Sequence, residues 1–116
     1  MSPGGPRHPS DAEREREAIE VLERCVRAAG EEDEAALAAC YAEDAVWLAE
    51  DGIVTGAQAV ARRHLALAGG ARWDPPQQHG SKAVLRFRRE VAIGYVIPGA
   101  LVVEARRGRI VFAAVL

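Results

Sequence analysis

Apolar residues recur at Ile19, Leu22, Val26 and Ala29. Steps of three, four and three are the period of a helix buried along one side. Ser10-Asp11-Ala12-Glu13, directly after Pro9, has the S-x-x-E form of a capping box, so the helix is expected to start there. Val21, Cys25 and Ala28 flank the stripe, Glu20–Arg24 and Glu23–Arg27 are spaced for i,i+4 pairing on the outer side, and Gly30 supplies the stop. Asp33 suits the cap of a second, shorter helix from Glu34 to about Ala42, which would bury Leu37, Cys40 and Tyr41. Ala45 to Ala49 reads as a strand and Glu50-Asp51-Gly52 as a turn. Thr55-Gly56-Ala57-Gln58 reads as a second capping box, opening a third helix that runs to about Ala68 before Gly69-Gly70.

Beyond Trp73 the period changes. Pro75-Pro76 allows no helix and only an edge or irregular lead-in. Ala83 to Arg88 alternates apolar with mostly polar residues, and Val91 to Ile97, Ala100 to Arg106 and Arg109 to Leu116 read as further strands. Residues 82–97 also read as one long bulged strand, because Arg89-Glu90 offers no turn residue. Ile97-Pro98-Gly99-Ala100 fits a type II turn, and Arg107-Gly108 a tight hairpin. Helices first, then an antiparallel meander, is an α+β layer architecture. The last strand, IVFAAVL, is apolar on both faces where a one-sided sheet would alternate. A partner subunit is the economical cover, so a homodimer joined by sheet faces is expected.

Composition narrows the function classes. The chain has 116 residues, enough for one domain, and no apolar run long enough for a transmembrane helix. MSPGGPRHPS has no apolar h-region; residues 1–10 are expected to be a flexible tail, residues 11–116 the domain, and the cytoplasm the location. The two cysteines, Cys25 and Cys40, are expected as free thiols; without a CxxC or a Cys/His cluster no metal site is expected. Residues 1–55 carry a net charge of −9 and residues 56–116 a net of +7, an acidic helical half against a basic sheet half. The near-zero total, −2, argues against nucleic acid as a partner.

Three stretches in order, GEEDEAALAACYAEDAVW, the EDGIVTG before the third helix, and the closing VVEARRGRIVF, resemble the NTF2-like superfamily and its SnoaL-like group over about residues 12–116. The resemblance implies a cystatin-like cone of three helices over a curved antiparallel sheet, a pocket inside, frequent homodimerisation and no cofactor. The superfamily houses ketosteroid isomerases, polyketide cyclases, epoxide hydrolases and non-catalytic carriers, so fold does not decide function. Carried through the matching stretches, the isomerase tyrosine falls near Cys25, the base at Ala49 and the oxyanion acid near Val102, so steroid-isomerase chemistry is not expected. The epoxide-hydrolase relay needs an Arg-x-Asp, and Arg86-Phe87-Arg88 lacks the acid.

Other chemistry falls to few residues. His64 lies on the core-facing stripe of the third helix, where a histidine can shuttle protons or be an ordinary core or rim residue. Glu104 shares a face with Val102: inward it would be a pocket acid of raised pKa, outward a partner of Arg86, Arg88 or Arg109. Trp47, Trp73, Tyr41 and Tyr95, with Cys25, Ala49 and Val102, are candidate pocket walls, and His79 beside Gly80 belongs to a surface turn. Cys25 reads as a small buried hydrophobe. The expected function is binding of a small apolar, polyketide-like molecule, with proton transfer by Glu104 or His64 if it is an enzyme of the cyclase or isomerase type. A carrier of the same fold, or a dimeric interaction module, is the alternative.

Overall fold

The structure, a computed structural model, describes residues 11–79 and 82–116. Ser10, the expected first cap, and the residue 1–10 segment lie outside it, as does the side chain of His79. Helix α1 spans Asp11–Gly30, α2 Glu34–Ala39 and α3 Ala57–Ala68. The strands are β1 Tyr41–Ala49, β2 Gly52–Thr55, β3 Ala71–Trp73, β4 Gln77–His79, β5 Lys82–Ala92, β6 Tyr95–Arg106 and β7 Arg109–Val115. They form one curved sheet in the order β2-β1-β7-β6-β5-β3, with β4 also on β5. The helices pack on its concave face in an α+β cone.

Residues 83–116 form the expected antiparallel β5-β6-β7 meander. The sheet as a whole is mixed, because β1 joins β7 in parallel. Asp33 caps α2 as read, its carboxylate accepting from the Ala36 amide at 3.0 Å. Thr55 does not cap α3. It ends β2 opposite Val46, and Gly56, at φ 99 with its amide on the Ala45 carbonyl, is the cap residue. Only a glycine enters that backbone region without strain.

Two further expectations shift for long-range reasons. Helix α2 stops before Tyr41, which pairs with Ile110, while the Cys40 carbonyl accepts from the Ile110 amide at 2.8 Å. A six-residue helix has little cooperativity of its own, and the sheet takes the next residues. Pro98-Gly99 is not a turn; both sit inside β6 opposite Arg88 and Phe87, and the chain reverses at Ile93-Gly94 instead. Gly99 is needed for space: a Cβ there would meet the Phe87 ring at 2.4 Å. The Arg107-Gly108 hairpin is present, with φ of 55 and 77. Helix α1 clasps it from both sides, the Glu17 carboxylate accepting from the Gly108 amide and Arg24 donating to the Gly108 carbonyl at 3.0 Å.

The core gathers Ala18, Leu22 and Cys25 of α1, Leu37 of α2, Val60 and Ala61 of α3, and the inward residues of the sheet, among them Trp47, Leu85, Leu101, Val103 and Ile110. Val84 and Ala114 are buried but lie outside that cluster. They belong to the other side of the sheet, where Ile53, Leu48, Ala114, Val102 and Val84 are successive cross-strand partners. One apolar band thus crosses the convex face.

Candidate functional site

Helix α3 turns His64 inward beside Val60, Ala61 and Leu67, and its ring is 1% exposed. The Tyr41 hydroxyl lies 2.8 Å from His64 Nδ1. Tyr41 reaches that place from the start of β1, so the strand assignment that replaces the expected helix is what builds the pair. Trp47 and Trp73 stand beside the same imidazole, with ring centroids at 6.0 and 6.2 Å, and Trp73 meets Phe87 at 4.9 Å. Phe87 completes an aromatic wall and was not singled out in the sequence, although its place in the alternating run Ala83 to Arg88 marks it as inward.

The cavity at this end of the cone measures about 210 Å³ and is lined by Val26, Ala29, Gly30, His64, Ala68, Ala71, Trp73 and Leu85. A second hollow of about 250 Å³ shares Val26 and Trp73 and adds Glu23, Asp74, Pro75 and Pro76 at the rim. Burial lowers the His64 pKa to about 4. The ring is therefore neutral at physiological pH. The Tyr41 hydroxyl and Nδ1 share one hydrogen bond, and in the tautomer where the hydroxyl is its donor the ring's remaining proton sits on Nε2. Burial, followed by the neighbouring Cys25 and Cys40 thiols, holds the Tyr41 hydroxyl well above its ordinary range, so it too stays protonated. The pair is a hydrogen-bond donor with little basicity.

The remaining candidates separate. Ala49 packs against the core at the end of β1, and Cys25 is fully buried beneath α1. Tyr95 is 71% exposed on the β5–β6 hairpin, away from the cavity, because the two strands extend past their neighbours there. Val102 and Glu104 alternate with buried Leu101, Val103 and Ala105 and so face the convex side. Glu104 is thus not a pocket acid. It meets Arg106 of its own strand at 3.3 Å, rather than Arg86, Arg88 or Arg109. The residues of β6 that do face the helices, Leu101 and Val103, carry no acid either. Among the described residues no group of three His, Cys, Asp or Glu side chains is placed to hold a metal ion. No helix among them is long and apolar enough to cross a membrane.

Solved structures share most of this architecture. An NTF2-like protein of unknown function from Mesorhizobium loti is 28% identical, matching 93% of this chain and 94% of its own, at a TM-score of 0.73. The chain has the NTF2-like fold. A protein from Sinorhizobium meliloti, described provisionally as a polyketide cyclase, is 22% identical over 84% of this chain and 94% of its own, at a TM-score of 0.69. A cystatin-like protein of unknown function from Methylobium petroleophilum is 23% identical over 88% and 76%, also at 0.69. No family model matches the sequence, and no curated protein matches it. The NTF2-like assignment therefore rests on the three-dimensional likeness.

Proposed function

We propose that this NTF2-like chain binds a small, largely apolar organic molecule bearing one hydrogen-bond acceptor, such as a carbonyl, with His64 Nε2–H as the donor that orients it. The observation that carries this reading is His64, hydrogen-bonded to Tyr41, in the wall of a cavity whose other residues are Val26, Ala29, Gly30, Ala68, Ala71, Trp73 and Leu85. Apolar walls around one placed donor are the usual make-up of a small-molecule site. The provisional description of the Sinorhizobium meliloti neighbour supports a polyketide-like ligand. A histidine of pKa about 4 is a poor base at neutral pH, which favours holding a ligand over abstracting its proton.

Titrating Trp73 fluorescence with aromatic ketones and with the hydrocarbons of the same skeleton tests the reading. The ketones should bind the wild type more tightly by about tenfold, the worth of one hydrogen bond in a dry site, and His64→Leu should erase the difference. Equal binding of ketone and hydrocarbon to the wild type, or none of either, sinks it. Following the bound ketone by NMR for exchange or rearrangement would register any turnover in the same sample.

The apolar band across the convex face supports a homodimer joined by that face. Sedimentation at micromolar concentration should show a dimer, and a monomer would count against it.

A further inference from the structure

Away from His64, the convex face of the sheet ends in a basic hollow. Strand β5 turns Arg86, Arg88 and Glu90 to that face, because Leu85 and Phe87 between them are buried against the helices. Arg72 of β3 stands directly opposite Arg88, and Val96 of β6 directly opposite Glu90. With Gly70 these residues line a hollow of about 290 Å³. That is close to the lower end of the roughly 300–1,000 Å³ usual for small-molecule sites. The hollow stands apart from the apolar band, which reaches β5 at Val84. Like charges directly opposite one another on neighbouring strands destabilise the pair, and an acid between them would relieve it. The hollow's one carboxylate, Glu90, instead accepts from the Gly94 amide at the hairpin tip, at 3.4 Å. Among the described residues neither Arg72 nor Arg88 is held in an ion pair, and both are exposed.

We propose that the Arg72–Arg88 hollow binds a phosphate group carried by a small soluble molecule. The two arginines outweigh Glu90, and the surrounding half of the chain, residues 56–116, is itself basic at a net +7. A bound anion offsets the repulsion that the bare pair suffers. Geometry favours phosphate over carboxylate. A carboxylate pairing bidentately with one guanidinium gives both of its oxygens to a single fork. A phosphate monoester keeps three acceptor oxygens that do not lie in one plane with its phosphorus, so forks arriving from β3 and β5 can each take an edge. Gly70, at φ 82 and with nothing within 4 Å of where a Cβ would stand, leaves one end of the hollow open. Val96 offers the organic part an apolar wall. The hollow also backs onto the aromatic wall of the His64 site. Arg72 precedes Trp73 and Arg88 follows Phe87, and those two rings meet across the same strand pair. Binding that draws the arginines together therefore acts on the strands that carry Trp73.

Calorimetric titration of the full-length chain with inorganic phosphate and with glycerol 3-phosphate tests this, alongside melting temperatures in the same ligands. Sodium chloride at equal ionic strength is the reference. Both phosphates should bind and should raise the melting temperature beyond what chloride does. Arg72→Gln and Arg88→Gln should each weaken binding about tenfold or more, the worth of one charge-assisted contact. Arg72→Lys, which keeps the charge and loses the fork, should fall between them and the wild type. Arg109→Gln, at an exposed arginine of β7 outside the hollow, should bind as the wild type does. Circular dichroism checks that each variant is folded, which substitution of these exposed side chains should allow. A melting gain no larger than that in chloride would overturn the proposal. So would unaltered affinity in both glutamine variants, or a loss in Arg109→Gln as large as theirs, which would mean a general charge effect. Malonate binding more tightly than phosphate would overturn the choice of phosphate.

Discussion

The two faces of the sheet are built from the same strands and finished differently. On the concave face Ala45, Trp47, Leu85, Leu101, Val103 and Ile110 are closed over by the helices, and one polar pair, Tyr41 and His64, is sealed among them. On the convex face Ile53, Leu48 and Val102 form an apolar line that none of the described helices covers, and Leu48 remains 41% exposed. Trp47 and Leu48 are neighbours in sequence, yet one is in the core and the other faces out. Apolarity in a strand therefore predicts burial only once the neighbour on that side is known. The concave face has its neighbour in the helices, and the described helices leave the convex face without one.

The contrast can be broken at several points. Trp47→Ala removes the largest inward side chain of β1 and should cost about 3–5 kcal/mol in urea unfolding; a loss no larger than that of an exposed site would mean that the concave face is not packed as described. Acid should act on the same face through His64. Its folded pKa, about 4, lies below the ordinary 6.5, so the unfolded chain binds the proton more readily. The stability this group contributes is complete above about pH 6.5 and is lost as pH falls toward 4, amounting to about 3 kcal/mol. In His64→Leu the unfolding free energy measured between pH 7 and 4 should lose that part of its slope. Tyr41→Phe leaves the buried Nδ1 without its partner and should cost about 1–3 kcal/mol, read as a drop in melting temperature.

The convex face answers to different measurements. Leu48→Asp places a charge in the apolar band and should weaken self-association by about tenfold or more in sedimentation, while the circular dichroism spectrum stays that of the wild type. Glu104→Gln should have the smallest effect. The Arg106 partner is exposed, so the change should cost under about 1 kcal/mol and leave ligand titrations unaltered. Loss of ligand affinity in that variant would return Glu104 to the pocket.

Much of this fold was legible in the sequence because local chemistry and tertiary packing agree. Asp33 caps, Gly30 and Gly69 end helices, Arg107-Gly108 turns, and the 3.6-residue period places His64 inward. The failures fall where pairing across the sheet outweighs local preference. Tyr41 follows a helical pattern, but its partner Ile110 lies 69 positions away and draws it into β1. Pro98-Gly99 has the residues of a turn, and nothing local says that Phe87 will lie over Gly99 while Gly94 takes the reversal. Alternation puts Val102 and Glu104 on one face without saying which face, since that depends on where the helices settle. The pairing of Tyr41 with His64 was invisible for a similar reason: neither residue carries a local signal of the other.

The long β5–β6 hairpin has a consequence for how the chain behaves at high concentration. Strand β7 stops at Val115, opposite Leu101, so that among the described strands residues 95–99 have only β5 beside them. Tyr95, Val96 and Ile97 are good strand formers with backbone groups open on one side, a template onto which further copies could add edge to edge and grow into fibrils. Pro98 follows immediately. It has no amide hydrogen to offer an incoming strand, and its ring crowds the approach, so the ladder is interrupted where the exposed edge would otherwise be longest. The residue that looks like a misplaced turn signal acts as a gatekeeper for solubility.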